Sequence, residues 1–279
     1  MTERAFRFGV VAGQAHSGAD WARTARRAED LGYDVLLVPD TLFTLPPFAA
    51  LAAAATITTR LRLGTYVLSA PNRTPAQVAW EAKSLQTLSD GRLELGLGGG
   101  RPGGERDAIA LAGAFGTPGE RLRRVADTIG AVRELPEPPP ILIAASKPGM
   151  LRLAAAQADI VTFGLPPATP YAELARTAVR FREMAGDRAG EVELQFNAAA
   201  VAPSVDALPY WLSRQVGGDA RAMAAAGGAS FLIGSPDEIA EELVRRRGDG
   251  FSFVAINSLF MDQFEPILLR LRALTPTAT

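Results

Sequence analysis

Short apolar runs alternate with amphipathic stretches from one end of the chain to the other. Residues 6–11 predict a first strand, and Asp20 is placed to cap a helix in which Trp21, Ala25, Ala28 and Leu31 share one face before Gly32 closes it. Val35–Val38 is an unbroken apolar run, the pattern of a parallel strand covered on both faces. An Ala-rich helix over 47–58 leads to a third strand over 61–68, and Pro75 opens a helix ending at Leu88. A fourth strand follows at 93–97, then a Gly-rich segment over 98–119 and a helix from there to about residue 135. PEPPP delivers the chain to a fifth strand, Ile141–Ala145, and to a helix over Pro148–Gln157. Strands are expected at 159–163, 193–201 and 251–256, with helices at 171–184, 236–247 (capped by Ser235) and 261–273. The stretch 204–234 predicts one or two short helices and a short apolar run, Phe231–Ile233.

Alternating β and α units predict a parallel sheet, and eight of them predict closure into a (β/α)8 TIM barrel forming a single domain over residues 1–279. A doubly wound sheet is the alternative. It would open on a Gly-rich phosphate loop, and VVAGQAHSGAD after the first strand does not fit G-x-G-x-x-G.

Composition narrows the chemistry. Hydrophobic residues at 48% against 21% charged allow a sizeable core and argue against disorder. With no cysteine and one histidine, thiol nucleophiles, iron–sulfur clusters and His-rich metal sites are excluded, and no metal is expected. A formal net charge of −1 gives no basic footprint for nucleic acid. The longest apolar run, within 45–57, is shorter than the ~20 residues that span a bilayer, and residues 1–8 lack the pattern of a signal peptide. The expectation is a soluble cytoplasmic protein without nucleic-acid or membrane partners.

In a barrel of this kind the site lies on the loops that follow the strands. The candidates are then Gln14 and His16, Asp40 and Thr41, Ser69, Asn72 and Arg73, Gly98 to Arg101, Ser146 and Lys147, Thr162 and Gly164, Asn197, and Asn257 with Ser258. His16 is the only side chain that titrates near neutrality unperturbed, or else a solvated surface residue. Asp40 is a functional acid or the cap of its own turn. Ser146 and Lys147 precede a helix, where backbone N–H groups and the lysine suit an anion, or form an ordinary cap. Gly98-Gly99-Gly100 lets a ligand approach the backbone or is simply a flexible loop. Arg121, Arg123 and Arg124 read as a solvated helix face. The scarcity of acid–base groups favours an organic cofactor as the source of reactivity.

Several segments together resemble the bacterial luciferase-like family, which includes flavin-dependent monooxygenases and coenzyme F420-dependent oxidoreductases. They are ARRAEDLGYDVLLVPDTLF (25–43), LAAAATITTRLRLGTYVL (51–68), NRTPAQVAWEAKSLQTLSDGRLELGLGGG (72–100) and PPILIAASKPGMLRLAAAQADIV (139–161). The likeness covers most of residues 6–163; the last third matches in pattern only. The F420-dependent branch is the nearer one. The resemblance implies a (β/α)8 barrel with the ring over its C-terminal face. It puts Asp40 near the ring, a non-prolyl cis peptide around Tyr66 and Val67, Gly98 and Gly99 on a cofactor-facing loop, and Ala144, Ala145, Ser146 and Lys147 at the cofactor tail, with Gly164 also at the cofactor. Thr41 stands where the F420 branch commonly has a histidine, and Arg101-Pro102 stands where Gly-Trp or a catalytic Glu is usual. Thr41 and Arg101 are thus expected at the substrate, with His16 and Asp40 as the catalytic pair. The family's insertion before the fifth strand is shortened to roughly PEPPP. The implied function is hydride transfer between coenzyme F420 and a small organic substrate. The alternatives are an FMN-dependent monooxygenase served by a separate reductase, and a paralogue with a degraded site acting as a binding protein. A homodimer is expected on the same ground.

Overall fold

The computed structural model describes residues 4–101 and 103–274. Its strands are β1 (Arg7–Val11), β2 (Val35–Val38), β3 (Arg62–Thr65), β4 (Leu68–Ser69), β5 (Leu93–Gly98), β6 (Ile141–Ala145), β7 (Ile160–Phe163), β8 (Glu193–Ala198), β9 (Ala200–Ala202), β10 (Phe231–Ile233) and β11 (Phe251–Asn257). Nine of them pair in the order β3-β2-β1-β11-β8-β7-β6-β5-β4, and β3 also pairs with β5, so the order returns on itself. With β3 and β4 as two halves of one strand, this is the eight-stranded pairing of a (β/α)8 barrel. The helices are α1 (Gly18–Asp30), α2 (Pro47–Ala55), α3 (Pro75–Leu88), α4 (Glu105–Ala112), α5 (Pro118–Arg133), α6 (Pro148–Gln157), α7 (Tyr171–Ala185), α8 (Trp211–Val216), α9 (Ala220–Ala225), α10 (Pro236–Gly248) and α11 (Met261–Leu274). Only residues 134–140 join α5 to β6.

The chain divides into two compact units, one over Val11–Val161, the other built from the segment up to Val10 and from Thr162 onward. In the first, β2 is buried along its whole length, and Leu63, Leu93, Leu95, Ile141 and Ile143 are buried with it. In the second, Phe6 and Phe8 stack, Phe8 meets Phe264, and Phe251 touches Phe163 and Phe196 edge-on. Arg246 is buried there; its Nη1 donates to Ala229 O at 2.8 Å, it pairs with Glu242, and it lies over the rings of Tyr171 and Phe196.

Several boundaries differ from expectation for local reasons. Ser17, rather than Asp20, caps α1: the Ser17 hydroxyl accepts from Asp20 N at 3.1 Å, and the Asp20 carboxylate accepts from His16 N at 3.0 Å. α2 stops at Ala55, and Thr58 turns its hydroxyl back to donate to Ala54 O. α4 was not expected, and it occupies part of the Gly-rich segment. β9 and β10 pair with one another, outside the nine-stranded sheet.

The third strand breaks in the middle. Gly64 opposes Glu94, but Leu68 opposes Leu97, so one extra residue is accommodated on the β3–β4 side. The Tyr66–Val67 peptide within that break is cis. Where the ladder lapses, the Thr65 hydroxyl donates to Gly96 O and accepts from Gly96 N, both at 2.8 Å. A Cβ at Gly96 would stand 2.0 Å from Thr65 O, and one at Gly98 would stand 2.8 Å from Val67 Cγ2. These two glycines therefore serve the packing of the break, and the same break sets the ends of β4 and β5 that bear on the site.

Candidate active site

Within the unit Val11–Val161, β2, β3, β4, β5 and β6 are successive neighbours, so their C-terminal ends lie side by side. Asp40 follows β2 and is buried. Its Oδ2 accepts from Ser69 N at 3.0 Å, Asn72 Nδ2 at 3.2 Å and Arg73 Nη1 at 2.6 Å. One carboxylate oxygen thus ties the end of β2 to the 3-10 turn Ala70–Asn72 that follows β4. Arg73 Nε also stands 3.6 Å from Glu81 Oε2 on α3, so a single guanidinium lies between two carboxylates. Burial pushes the Glu81 carboxyl above the ordinary range; Arg73 opposes the shift and Asp40 adds to it.

Tyr66, Val67 and Ser69 are half-buried at the next strand end. After β5, Gly99 and Gly100 are also half-buried. A Cβ on Gly99 would meet nothing nearer than Met150 Sδ at 3.9 Å, so the backbone there is open. Gly100 has φ +89, and a Cβ there would strike Phe115 at 2.9 Å. After β6, Ala144 is half-buried and Ala145 buried, while Ser146 and Lys147 are exposed ahead of α6. Lys147 is exposed, occupies the cap position and makes no side-chain cap, so no side chain there accepts from the first-turn N–H groups.

The remaining expected residues fare differently. His16 is exposed, and among the described residues no hydrogen bond to its ring is recorded; only its backbone N–H is engaged, by Asp20. Thr41 is absorbed in its own turn. Its hydroxyl accepts from Phe43 N and stands 3.3 Å from the Thr44 hydroxyl, which in turn donates to Pro39 O. That turn is seated against Gly13, where a Cβ would meet Thr44 Cγ2 at 2.9 Å. Arg101 pairs with Asp107 on α4 at 3.3 Å, and Asp107 also accepts from Leu42 N. Asp107 thus joins Arg101 to the turn after β2; Pro102 lies outside the described residues. Gln14 is exposed and donates to Phe43 O. Thr162, Gly164, Asn197, Asn257 and Ser258 belong to the other unit: Thr162 is buried in β7, Gly164 is exposed, Asn197 is exposed on β8, Ser258 opens the 3-10 turn after β11, and Asn257 Oδ1 accepts from Leu259 N.

Arg121 departs from the solvated helix face expected of it. Its Nε donates to Gly99 O and its Nη1 to Gly116 O, each at 2.7 Å, with the guanidinium over Phe115. The available signal was its position: it directly follows the Thr117–Glu120 capping box, on the turn of α5 nearest the Gly-rich loop.

Residues 5–136 match the model of the luciferase-like monooxygenase family. Over that stretch, a little under half of the chain, it is similar to the luciferase-like family. The matched stretch contains Asp40, the Tyr66–Val67 break and Gly98 to Arg101, and it ends before Ala144. An F420-dependent glucose-6-phosphate dehydrogenase of Nakamurella multipartita is 29% identical over 233 residues, which cover 69% of this chain and 67% of that protein. An F420-dependent secondary alcohol dehydrogenase, solved in complex with an F420–acetone adduct, superposes with a TM-score of 0.77 at 16% identity, covering 96% of this chain and 100% of that one. A riboflavin lyase, solved with modified FMN and riboflavin, gives a TM-score of 0.74 at 17% identity over 97% of this chain and 92% of its own. The structural likenesses establish the barrel. Two proteins named as F420-dependent and one solved with modified FMN thus resemble this chain. Among the described residues, no helix is long and apolar enough to cross a membrane.

Proposed function

We propose that this protein is a luciferase-like oxidoreductase that moves a hydride between coenzyme F420 and a small organic substrate. The observation that carries the proposal is the row of strand ends in the unit Val11–Val161: a fixed carboxylate at Asp40, an open backbone at Gly99, and a helix start without a side-chain cap behind the exposed Lys147. A flat tricyclic ring needs a surface without side-chain obstruction and a polar group of fixed direction at its edge. Gly99 supplies the first and Asp40 the second. An anionic tail needs N–H donors and positive charge, which the start of α6 and Lys147 offer. When bound, the deazaflavin supplies the hydride donor or acceptor.

The protein's own part is positional. Arg73 keeps Asp40 paired, and Ser69 and Asn72 fix its direction. With Thr41 committed to its turn, the proton of the reaction is handled by the exposed His16 or by water. Leu42 and Phe43 in the turn after β2, and Ile109 and Leu111 on α4, are exposed apolar side chains and suit a neutral or apolar substrate. The preference for the deazaflavin over FMN is supported by the likeness to the F420-dependent dehydrogenase across 69% of the chain. An FMN-dependent monooxygenase supplied by a separate reductase is the second reading, favoured by the family's monooxygenase members and the FMN-bearing structural neighbour.

Titration of the purified protein with coenzyme F420 and with FMN, followed by ring fluorescence, separates the two. Binding of F420 alone is expected, weakened at least tenfold in Asp40→Ala. Binding of FMN alone would transfer the assignment to the second reading. Binding of neither would remove both and leave a non-catalytic paralogue.

A further inference from the structure

We propose that Arg121 is a positioning residue for the cofactor ring, acting by turning the Gly99–Gly100 peptide so that the Gly100 N–H is presented to an acceptor atom on the ring. The inference rests on the cofactor-binding reading above and deepens it at the loop after β5.

The loop between β5 and α5 returns on itself, and Arg121 holds it at both ends: Nε to Gly99 O at its start and Nη1 to Gly116 O at its close. The planar guanidinium presents its donors as a fixed fork, so two carbonyls can be held at once and at a set separation. Its aromatic support is equally specific. The guanidinium carbon lies 4.2 Å from the centre of the Phe115 ring. On the ring's account a Cβ at Gly100 has no room, with Phe115 at 2.9 Å and Pro71 Cγ at 3.2 Å. Arg121, Phe115, the Gly100 backbone and Pro71 are therefore linked in sequence. Pro71 belongs to the turn that Asp40 secures through Ser69 and Asn72, so the two ends of this chain of contacts are both charged anchors.

A peptide unit is planar and trans, with its C=O and N–H pointing in opposite directions. Holding Gly99 O toward α5 therefore directs the Gly100 N–H away from α5. A flexible glycine pair would otherwise sample both orientations of that peptide. A charged donor to the carbonyl selects one of them before any ligand arrives. Phe115 and Pro71 crowd the side of Gly100 that a Cβ would take, while the Cβ direction of Gly99 is open to within 3.9 Å of Met150 Sδ, so the peptide between them has a closed side and an open one.

The test compares wild type with Arg121→Ala, Arg121→Lys and, as a control on the exposed face of the same helix, Arg123→Ala. Amide hydrogen exchange is followed in the cofactor-free protein, and F420 and FMN binding by fluorescence. In Arg121→Ala, exchange across 99–101 is expected to quicken about tenfold and cofactor binding to weaken about tenfold or more, with the melting temperature little changed. Arg121→Lys is expected to restore neither, since one ammonium cannot span both carbonyls; it also carries the test if the alanine variant does not fold. Arg123→Ala should match wild type. A fall in melting temperature with unchanged affinity would make Arg121 merely structural and overturn the proposal. So would full binding by the lysine variant. If wild type binds neither cofactor, the underlying reading fails and the proposal falls with it, a result plainly different from a variant that binds as well as wild type.

Discussion

Asp40 receives three donors through one oxygen, and only one of them, Arg73, brings a compensating charge. Arg73→Met would leave a buried carboxylate with neutral partners alone. A loss of about 2–3 kcal/mol is expected, at the low end for a broken buried pair because Arg73 keeps some contact with water. Urea denaturation measures it; a change below about 0.5 kcal/mol would show the pair to be incidental. Two glutamates in the same unit give opposite pH slopes. Burial raises Glu81, so the folded state binds its proton more tightly than the unfolded chain does. Its contribution is fully present below the ordinary pKa of 4.5 and is lost as pH rises through the folded value. Glu81→Gln should therefore gain on wild type as pH increases above 4.5. At Glu29 burial also opposes ionisation, but the backbone N–H groups of Arg60, Leu61 and Thr59 outweigh it and lower the pKa. Its stabilisation is present above 4.5 and disappears as pH falls through the lowered value, so Glu29→Gln should lose ground to wild type at neutral pH and recover in acid. Parallel slopes for the two variants across pH 3–7 would contradict both assignments. None of this was legible in the sequence, where Glu81 and Glu29 are ordinary helix residues; the direction at Glu81 comes from its burial and that at Glu29 from the N–H groups of a loop some thirty residues away.

At the scale of elements, helices were legible wherever a cap announced them. Pro75–Leu88, Pro148–Gln157 and the Ser235-capped α10 begin where Pro and Ser stand before a periodic run. Periodicity alone read the third strand as unbroken over 61–68, whereas the family resemblance placed a cis peptide at Tyr66 and Val67, and the Tyr66–Val67 peptide is cis. The glycines of LELGLGGG look alike in sequence and have different duties. Gly96→Ala would drive a methyl onto Thr65 O and is expected to cost about 3 kcal/mol or more, with loss of soluble protein, since backbone cannot step aside as a side chain can. Gly99→Ala should fold with nearly wild-type stability, as its nearest neighbour is Met150 Sδ at 3.9 Å. Melting temperatures of the two variants decide the matter, and similar values would refute the distinction. Thr65→Val extends the same argument: it would orphan Gly96 N and O together, at roughly 2–3 kcal/mol.

For the molecule as a whole, a ligand that binds only the folded form stabilises it by mass action. F420 at one hundred times its dissociation constant should add about 2.7 kcal/mol to unfolding, and FMN at the same concentration should add far less. Calorimetric scans with each cofactor test this; equal shifts would erase the preference for the deazaflavin. The sequence by itself determined the architecture, because the alternation of apolar runs and amphipathic stretches is a property of consecutive residues and repeats along the whole chain. It also pointed to the strand ends as the place for chemistry and to Asp40 among them. What only the tertiary structure decided is which side chains are spoken for. Thr41 is spent on Thr44, Arg101 on Asp107, Arg121 on Gly99 and Gly116, and Asp40 on three donors beyond position 68. For Asp40 and Arg121 the partners lie tens of residues away, where the fold brings the chain back, and periodicity carries no record of that distance; for Thr41 and Arg101 they are local, set by turn geometry that periodicity does not encode either.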